Sequence, residues 1–486
     1  MPKDNLKTNV ISSLFWKFLE RGGVMGVEFI VQIILARLLL PEDYGIIALI
    51  AFFISLSRTF VQSGFGTALI QKKEVIDEDY SSVFYLTFGT AFVFYCILFV
   101  AAPFISAFYN QALITPVLRV LGLTLFFGAI NSIQNVIIAR NFQFRKLFIS
   151  SCGAVLFSGA IGIAMAYEGY GVWALVGQQI ASIIALCTIM WFTVKWRPRF
   201  LFSFTRLKKL FSFGWKLLVS NLIDVTYNNL SVLIIGKLYP TSILGYYTKG
   251  QEFPKILVSD INSSIQAVMF PAYAKNQDNI PKVKQIMRRT LITSSFLIFP
   301  AMAGLAAIAE PLVKLLLTEK WLMCVPFLQI FCAVYALWPI HTANLQAINA
   351  LGHSEIFLKL EILKKFIGLL MLAVTVPIGI YAMALGMVVT GVIGLIINSY
   401  PNKMLLDYSF TEQWKDLTPV LILSLIMCGV VYSILFLDLS TLVTLFLQIG
   451  IGFIVYVGLA GLLKLEPFYY MMNTIKEYLP DRKELC

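Results

Sequence analysis

The sequence has 486 residues, of which 59% are hydrophobic and only 13% are charged, and its mean hydropathy is +0.81. A soluble domain of this size carries about 25% charged residues. These values exclude a chain whose surface is mostly wetted by water, so lipid must be the solvent for most of that surface.

Long apolar runs recur along the whole chain, and each is interrupted by Pro, Gly or a short basic cluster. A run of about 20 apolar residues is long enough to cross a bilayer as a helix. We therefore predict an all-α integral membrane protein of about fourteen transmembrane helices. They are centred near residues 25, 55, 92, 127, 157, 183, 225, 256, 297, 337, 368, 390, 427 and 451. The seventh and eighth are the least hydrophobic.

The distribution of Lys and Arg predicts the orientation, because cytoplasmic loops carry an excess of both residues. If the N-terminus is cytoplasmic, most of the 38 Lys and Arg residues fall in cytoplasmic segments. Only Lys237, Lys314 and Lys320 lie on the opposite side. We therefore expect a multi-pass protein with both termini in the cytoplasm. The net charge of +12 then reflects topology and anionic lipid headgroups, and it requires no nucleic-acid partner.

The sequence contains no pattern that indicates covalent chemistry. Walker A, GxSxG and HExxH motifs are missing, and His341 and His353 have no Cys or carboxylate at metal-ligand spacing. The seven Cys form no CxxC pair and are expected to be free. We interpret the acidic run 77–79 as a solvated cytoplasmic loop. We therefore predict a protein that is not an enzyme and holds no metal or cofactor.

The chain repeats itself weakly when it is shifted by about 200 residues. Segment 36–45 matches segment 236–245, with a cation eight residues before a Gly in both, and 169–175 matches 379–385. Helices 1–6 and 7–12 are therefore interpreted as two parallel copies of one unit. Such repeats are typical of transporters that move substrate by alternating access at a site between the copies.

This repeat predicts a V-shaped pair of six-helix lobes around a cavity that is closed on one side. The N-lobe is expected at residues 1–200, the C-lobe at 206–403, helices 13 and 14 at 410–465, and a cytoplasmic tail at 466–486.

Charged side chains concentrate in the first two helices of each copy, although a charge at mid-bilayer costs at least about 2.5 kcal/mol. If these helices face one another, they line a cavity suited to an anionic headgroup that bears polar sugars. The candidate substrate-binding cations are Lys17, Arg21, Arg58, Lys216, Lys249 and Lys255. The candidate polar and coupling residues are Glu20, Glu28, Asn221, Asp224, Asn228 and Glu252. The alternative is internal ion pairing without a ligand, and Lys249 and Lys255 could instead extend to an interface.

Four segments resemble the polysaccharide transporter branch of the multidrug/oligosaccharidyl-lipid/polysaccharide exporter superfamily. They are ARLLLPEDYG at 36–45, SGFGTALIQ at 63–71, ARNFQFR at 139–145 and GYGVWALVGQ at 169–178. The resemblance is closest to the Wzx-type flippases of lipopolysaccharide, colanic acid and teichuronic acid synthesis, and it covers all but the last two helices well.

The resemblance implies flipping of undecaprenyl-diphosphate-linked oligosaccharides across the bacterial inner membrane for surface polysaccharide synthesis. It also implies a monomer in contact with membrane lipids that works beside polysaccharide polymerase machinery. Related peptidoglycan-precursor flippases use cavity arginines on helices one, two and eight. Arg21 and Arg58 match the first two, whereas the eighth helix has Lys249 and Lys255 instead. The alternative is a drug/cation antiporter of the multidrug branch.

The transport step needs an energy source, and the sequence has no nucleotide-binding motif. The remaining energy sources are an ion gradient, the membrane potential and downstream consumption of the substrate. Coupling to H⁺ or Na⁺ is one expectation. Glu28 and Asp224 are the candidate coupling acids because each lies in the first helix of its copy, away from the loops. The alternative for Glu28 is a simple ion pair with a cation on another helix.

Overall fold

The computed structural model describes residues 3–62, 64–437 and 439–478. Within this part of the chain the regular structure is entirely helical, with no β-strand, which confirms the predicted all-α fold class. In the first half the helices are α1 (Lys3–Leu38), α2 (Pro41–Gln62), α3 (Phe65–Gln71), α4 (Asp77–Tyr109), α5 (Ile114–Gly122), α6 (Thr124–Arg140), α7 (Phe144–Tyr167), α8 (Val172–Thr193) and α9 (Phe204–Leu238).

In the second half the helices are α10 (Thr241–Lys275), α11 (Ile280–Ala307), α12 (Ala309–Leu317), α13 (Val325–Ala336), α14 (Trp338–Ala350), α15 (Ser354–Thr375), α16 (Ile380–Leu406), α17 (Phe410–Ser433), α18 (Thr441–Leu462) and α19 (Glu466–Tyr478). Short 3-10 helices at Glu319–Cys324 and Ile434–Leu437 complete the described part.

Eleven helical segments of the described chain are long and apolar enough to cross a membrane. The other three predicted spans, centred near 25, 256 and 368, coincide with α1, α10 and α15, which have 36, 35 and 22 residues. These helices are long enough to span a bilayer but carry more polar and charged residues. The protein is therefore a multi-pass membrane protein, and the count of fourteen stays a prediction.

The chain divides into two compact units, residues 1–245 and 246–486. In the first unit α7 packs against both α1 and α8, and one core cluster is built around Val31, Leu35 and Leu175. In the second unit α11 packs against α17. The boundaries of the lobes 1–200 and 206–403 were drawn from the repeat, and they stay a prediction.

The acidic run 77–79 forms the first turn of α4. Asp79 is 0% exposed and lies 2.6 Å from Lys72 Nζ and 3.3 Å from Arg206 Nη1. Its carboxylate also accepts a hydrogen bond from the backbone N–H of Ile76, while Asp77 pairs with Arg199 at 2.8 Å. The interpretation of this run as a solvated loop is therefore wrong for Asp79, because cations from two other segments compensate its burial.

Candidate functional site

The charged residues predicted in the first helix lie on α1, which is continuous from Lys3 to Leu38. The side chains of Lys17, Glu20 and Arg21 lie outside the described residues. Glu28 is exposed, and Gln32 Nε2 donates to Gln178 Oε1 of α8 at 3.4 Å. The C-terminal half of α1 therefore combines an exposed carboxylate with a polar contact to α8.

The predicted polar residues of the second and seventh helices lie on α2 and α9, which pack against each other in the first unit. Two glycines show how closely the backbones approach. A Cβ added at Gly236 of α9 would lie 2.3 Å from Leu49 Cδ2 of α2. A Cβ added at Gly64, just before α3, would lie 2.8 Å from the Gly214 carbonyl oxygen of α9. Of the predicted side chains on these helices, Asp224 is half-buried and the other four are exposed: Arg58, Lys216, Asn221 and Asn228.

An exposed arginine on a membrane helix meets an unfavourable environment if acyl chains surround it. Placing Arg among acyl chains at mid-bilayer costs at least about 2.5 kcal/mol. The neighbours Ser57 and Val61 on α2 are buried, whereas Arg58 is exposed. Its exposed face is therefore suited to water or a polar ligand, and its fork of N–H donors matches phosphate oxygens.

The two predicted cations of the eighth helix differ in their surroundings. Lys249 is only 3% exposed, and its Nζ lies 2.8 Å from Glu252 Oε2 in an i,i+3 ion pair. Lys255 is exposed. Internal pairing, the alternative that the sequence left open, describes Lys249 and Glu252, so Lys255 is the residue of this helix better placed to meet an anion. The binding role of all three stays a prediction.

The second unit contains an apolar cavity of about 620 Å³ that the sequence reasoning missed. Helices α10, α11, α17, α18 and α19 line it, with small residues such as Gly304 and Gly452 beside Phe296, Pro300 and Phe453. Such a cavity has the chemistry to accept a hydrocarbon chain. One feature of the sequence pointed to this region. The helices α17 and α18, which line the cavity, lie outside the internal repeat and have no counterpart in the first copy.

A buried polar network ties α14, α16 and α17 together in the same unit. Asn344 Nδ2 donates to Gln413 Oε1 at 3.0 Å, and Asn402 Nδ2 donates to Asn344 Oδ1 at 2.7 Å. The His341 ring nitrogen Nδ1 lies 2.9 Å from Asn398 Nδ2. These amide contacts link the three helices inside the core, while the Oδ1 atoms of Asn398 and Asn402 accept no hydrogen bond among the described residues. Among the described residues, no group of three His, Cys, Asp or Glu is arranged to hold a metal ion.

These features define the class of the molecule, which is an all-helical transporter-like membrane protein. Its fold is that of the lipid II flippase MurJ in the inward closed conformation, with a TM-score of 0.75 at 15% identity over 93% of this chain and 98% of that one. An inward-facing multidrug resistance transporter of the MATE family, in the MOP superfamily, gives a TM-score of 0.60 at 14% identity over 78% of this chain and 94% of that one.

Residues 34–326 match the family described as polysaccharide biosynthesis protein, and the chain belongs to this family. It is 23% identical to the lipopolysaccharide biosynthesis protein WzxC of Escherichia coli (strain K12), over 75% of this chain and 74% of the relative. It is 25% identical to the teichuronic acid biosynthesis protein TuaB of Bacillus subtilis (strain 168), over 62% of both. The predicted membership of the polysaccharide branch is therefore confirmed.

A third relative is the succinoglycan biosynthesis transport protein ExoT of Rhizobium meliloti (strain 1021), 24% identical over 67% of this chain and 66% of the relative. All four segments on which the resemblance was based lie within the matched range 34–326.

Proposed function

We propose that the protein translocates an undecaprenyl-diphosphate-linked oligosaccharide across the bacterial inner membrane by alternating access, for synthesis of a surface polysaccharide. The observation that carries this proposal is the family match over residues 34–326. The relatives are named for three different polysaccharides, lipopolysaccharide, succinoglycan and teichuronic acid, and one is named a transport protein. A shared transport step for a lipid-linked precursor accounts for such a range better than recognition of one sugar sequence.

The chemistry of the described residues supports an amphiphilic, anionic substrate. Arg58, Lys216 and Lys255 are exposed on helices of a membrane protein, where each suits a diphosphate. The apolar cavity of about 620 Å³ suits a prenyl chain. Transport of such a molecule breaks no covalent bond, so the protein acts without enzymatic chemistry. It acts as a monomer with both termini in the cytoplasm, surrounded by membrane lipids and beside the polymerase machinery.

Disruption of the gene in its host tests this function directly. We expect loss of one surface polysaccharide, with the lipid-linked repeat unit accumulating on the cytoplasmic face, and restoration of both by the intact gene. Normal polysaccharide together with new sensitivity to cationic dyes would instead identify a MATE-like drug/cation antiporter. Polysaccharide that lacks one sugar would identify a glycosyltransferase.

The same complementation assay tests whether Arg58 binds the substrate. Arg58→Gln is expected to restore much less polysaccharide than the wild type, because a charge-assisted hydrogen bond to phosphate contributes about 1.5–3 kcal/mol. Lys195→Gln removes an exposed cation outside the predicted cavity and should complement fully. Equal complementation by both variants, at equal membrane abundance, would remove Arg58 from substrate binding.

We also propose that proton or Na⁺ movement drives the step through Glu28 and Asp224. One charge crossing 100 mV supplies about 2.3 kcal/mol, and these two acids are exposed and half-buried, respectively, on α1 and α9. Glu28→Gln and Asp224→Asn are expected to slow flipping and to weaken its dependence on ionophores. Glu168→Gln, at an exposed carboxylate after α7, is the matched control. Full activity with unchanged ionophore dependence in both variants would remove these acids from the coupling.

A further inference from the structure

The first turns of α11 carry four cations on two different faces of the helix. Lys284 and Arg288 face acids of the following helices: Lys284 Nζ lies 3.6 Å from Glu412 Oε1. Arg288 lies 3.0 Å from Asp416 Oδ2 and 3.1 Å from Glu466 Oε2. These two charges are therefore neutralised within the protein.

Lys282 and Arg289 lie on the other face of α11, seven residues apart and so about two helical turns. Within the part of the chain that the structure describes, no carboxylate forms an ion pair with either. Both line a second cavity of about 480 Å³, together with Gln285 and Thr293. The Arg289 guanidinium is held over the Tyr470 ring of α19, 4.6 Å from its centroid. Two cations thus face one cavity, and neither is paired with an acid among the described residues.

The same cavity has an apolar lining beside these cations. Ile261, Ile265 and Met269 of α10 and Leu297 of α11 contribute to it. Leu297 also lines the larger apolar cavity. A molecule with an anionic head at Lys282 and Arg289 could therefore lay a hydrocarbon chain along Ile261, Ile265 and Met269.

The cavity is built on a fixed segment. The Asn279 side chain caps α11 by accepting a hydrogen bond from the Lys282 backbone N–H at 3.1 Å. The Thr290 hydroxyl donates to the Ile286 carbonyl at 2.8 Å. The cations lie in the first ten residues of α11, which the Lys and Arg distribution assigns to the cytoplasmic end of the helix, where lipid headgroups are found.

We propose that this cavity is a binding site for an anionic membrane phospholipid. The phosphate lies between Lys282 and Arg289, and one acyl chain lies along Ile261, Ile265 and Met269, so that the larger apolar cavity stays available for the prenyl chain of the substrate. Charge complementarity selects an anionic headgroup, and the apolar lining selects a lipid over a soluble anion. The site is separate from the cations predicted to bind the transported substrate, and it would hold a resident lipid between α10, α11 and α19.

Lipid retention by the full-length protein tests the proposal. The protein is purified from membranes, reconstituted in nanodiscs that contain phosphatidylglycerol and phosphatidylcholine, and analysed for co-retained lipid after transfer to detergent. The wild type should retain phosphatidylglycerol preferentially. The double variant Lys282→Gln/Arg289→Gln should reduce this preference about thirtyfold, because each of the two cations near anionic lipid contributes about 1 kcal/mol and about 1.4 kcal/mol is a factor of ten.

The control is Lys195→Gln/Lys403→Gln, which removes two exposed cations elsewhere and changes the net charge equally. It should keep the preference for phosphatidylglycerol. Equal retention by the double variant and the wild type would overturn the proposal. Displacement of the long-chain lipid by millimolar glycerol phosphate or inorganic phosphate would also overturn it, because a soluble anion would then suffice. Weaker competition by a short-chain phosphatidylglycerol would support binding of the acyl chain along Ile261, Ile265 and Met269.

Discussion

Replacing Gly45 or Gly245 with Val is expected to abolish the folded protein in the membrane. The starts of α2 and α10 touch through these glycines: a Cβ at Gly45 would lie 1.8 Å from the Thr241 carbonyl oxygen, and one at Gly245 would lie 1.9 Å from the Pro41 carbonyl oxygen. Both obstacles are backbone atoms that cannot rotate away. Even Ala should cause loss of complementation by at least about tenfold, since overpacking typically costs about 1–3 kcal/mol and backbone shifts more.

Membrane abundance and heat-induced aggregation of the solubilised protein measure this effect. Gly89→Val is the matched control, because Gly89 lies exposed within α4 and a Cβ there meets nothing within 4 Å. That variant should accumulate and complement like the wild type. Normal abundance of both Gly45→Val and Gly245→Val would show that the two helix starts do not pack through glycine contacts.

Asp79→Asn is expected to lower stability by about 2 kcal/mol or more, because it leaves cations without their buried counter-charge. Asp79 is fully buried and pairs with Lys72 and Arg206, whose side chains are 33% and 39% exposed. That partial exposure screens the charges and keeps the expected loss below the value for a wholly buried pair.

The measurement is the midpoint of heat-induced aggregation of the purified protein in detergent. Asp77→Asn is a close control, since it removes the same charge two residues earlier. The side chains of this pair are more exposed, 68% for Arg199 and 42% for Asp77. An exposed pair of this kind is worth about 0–1 kcal/mol. Equal midpoints for Asp79→Asn and the wild type would show that the buried carboxylate does not hold α4 to α9.

Amino-acid composition and order were sufficient to predict the all-α membrane fold. Lipid offers no hydrogen bonds to the backbone, so every crossing segment must be a long apolar helix, and such segments are visible one by one in the sequence. The segment 36–45 and the three later ones that resemble the family fall inside its matched range 34–326. These are local patterns, and local patterns are what a sequence displays.

Only the tertiary structure decided which charges are neutralised and which are available. Lys249 and Lys255 lie six residues apart on α10, yet Lys249 is buried against Glu252 and Lys255 is exposed. The packing of α10 decides this, since a Cβ at neighbouring Gly250 would lie 2.8 Å from Phe327 Cβ.

Contacts between residues far apart in the sequence decide two further cases. Asp79 is buried because Arg206 approaches from 127 residues away. Asp416 and Glu466 approach the face of α11 that carries Arg288, whereas no acid of the described residues forms an ion pair with Arg289. A helix presents its residues about 100° apart, so adjacent cations can meet entirely different neighbours. Sequence spacing gives the face of each residue, but only the packed neighbours determine what that face meets.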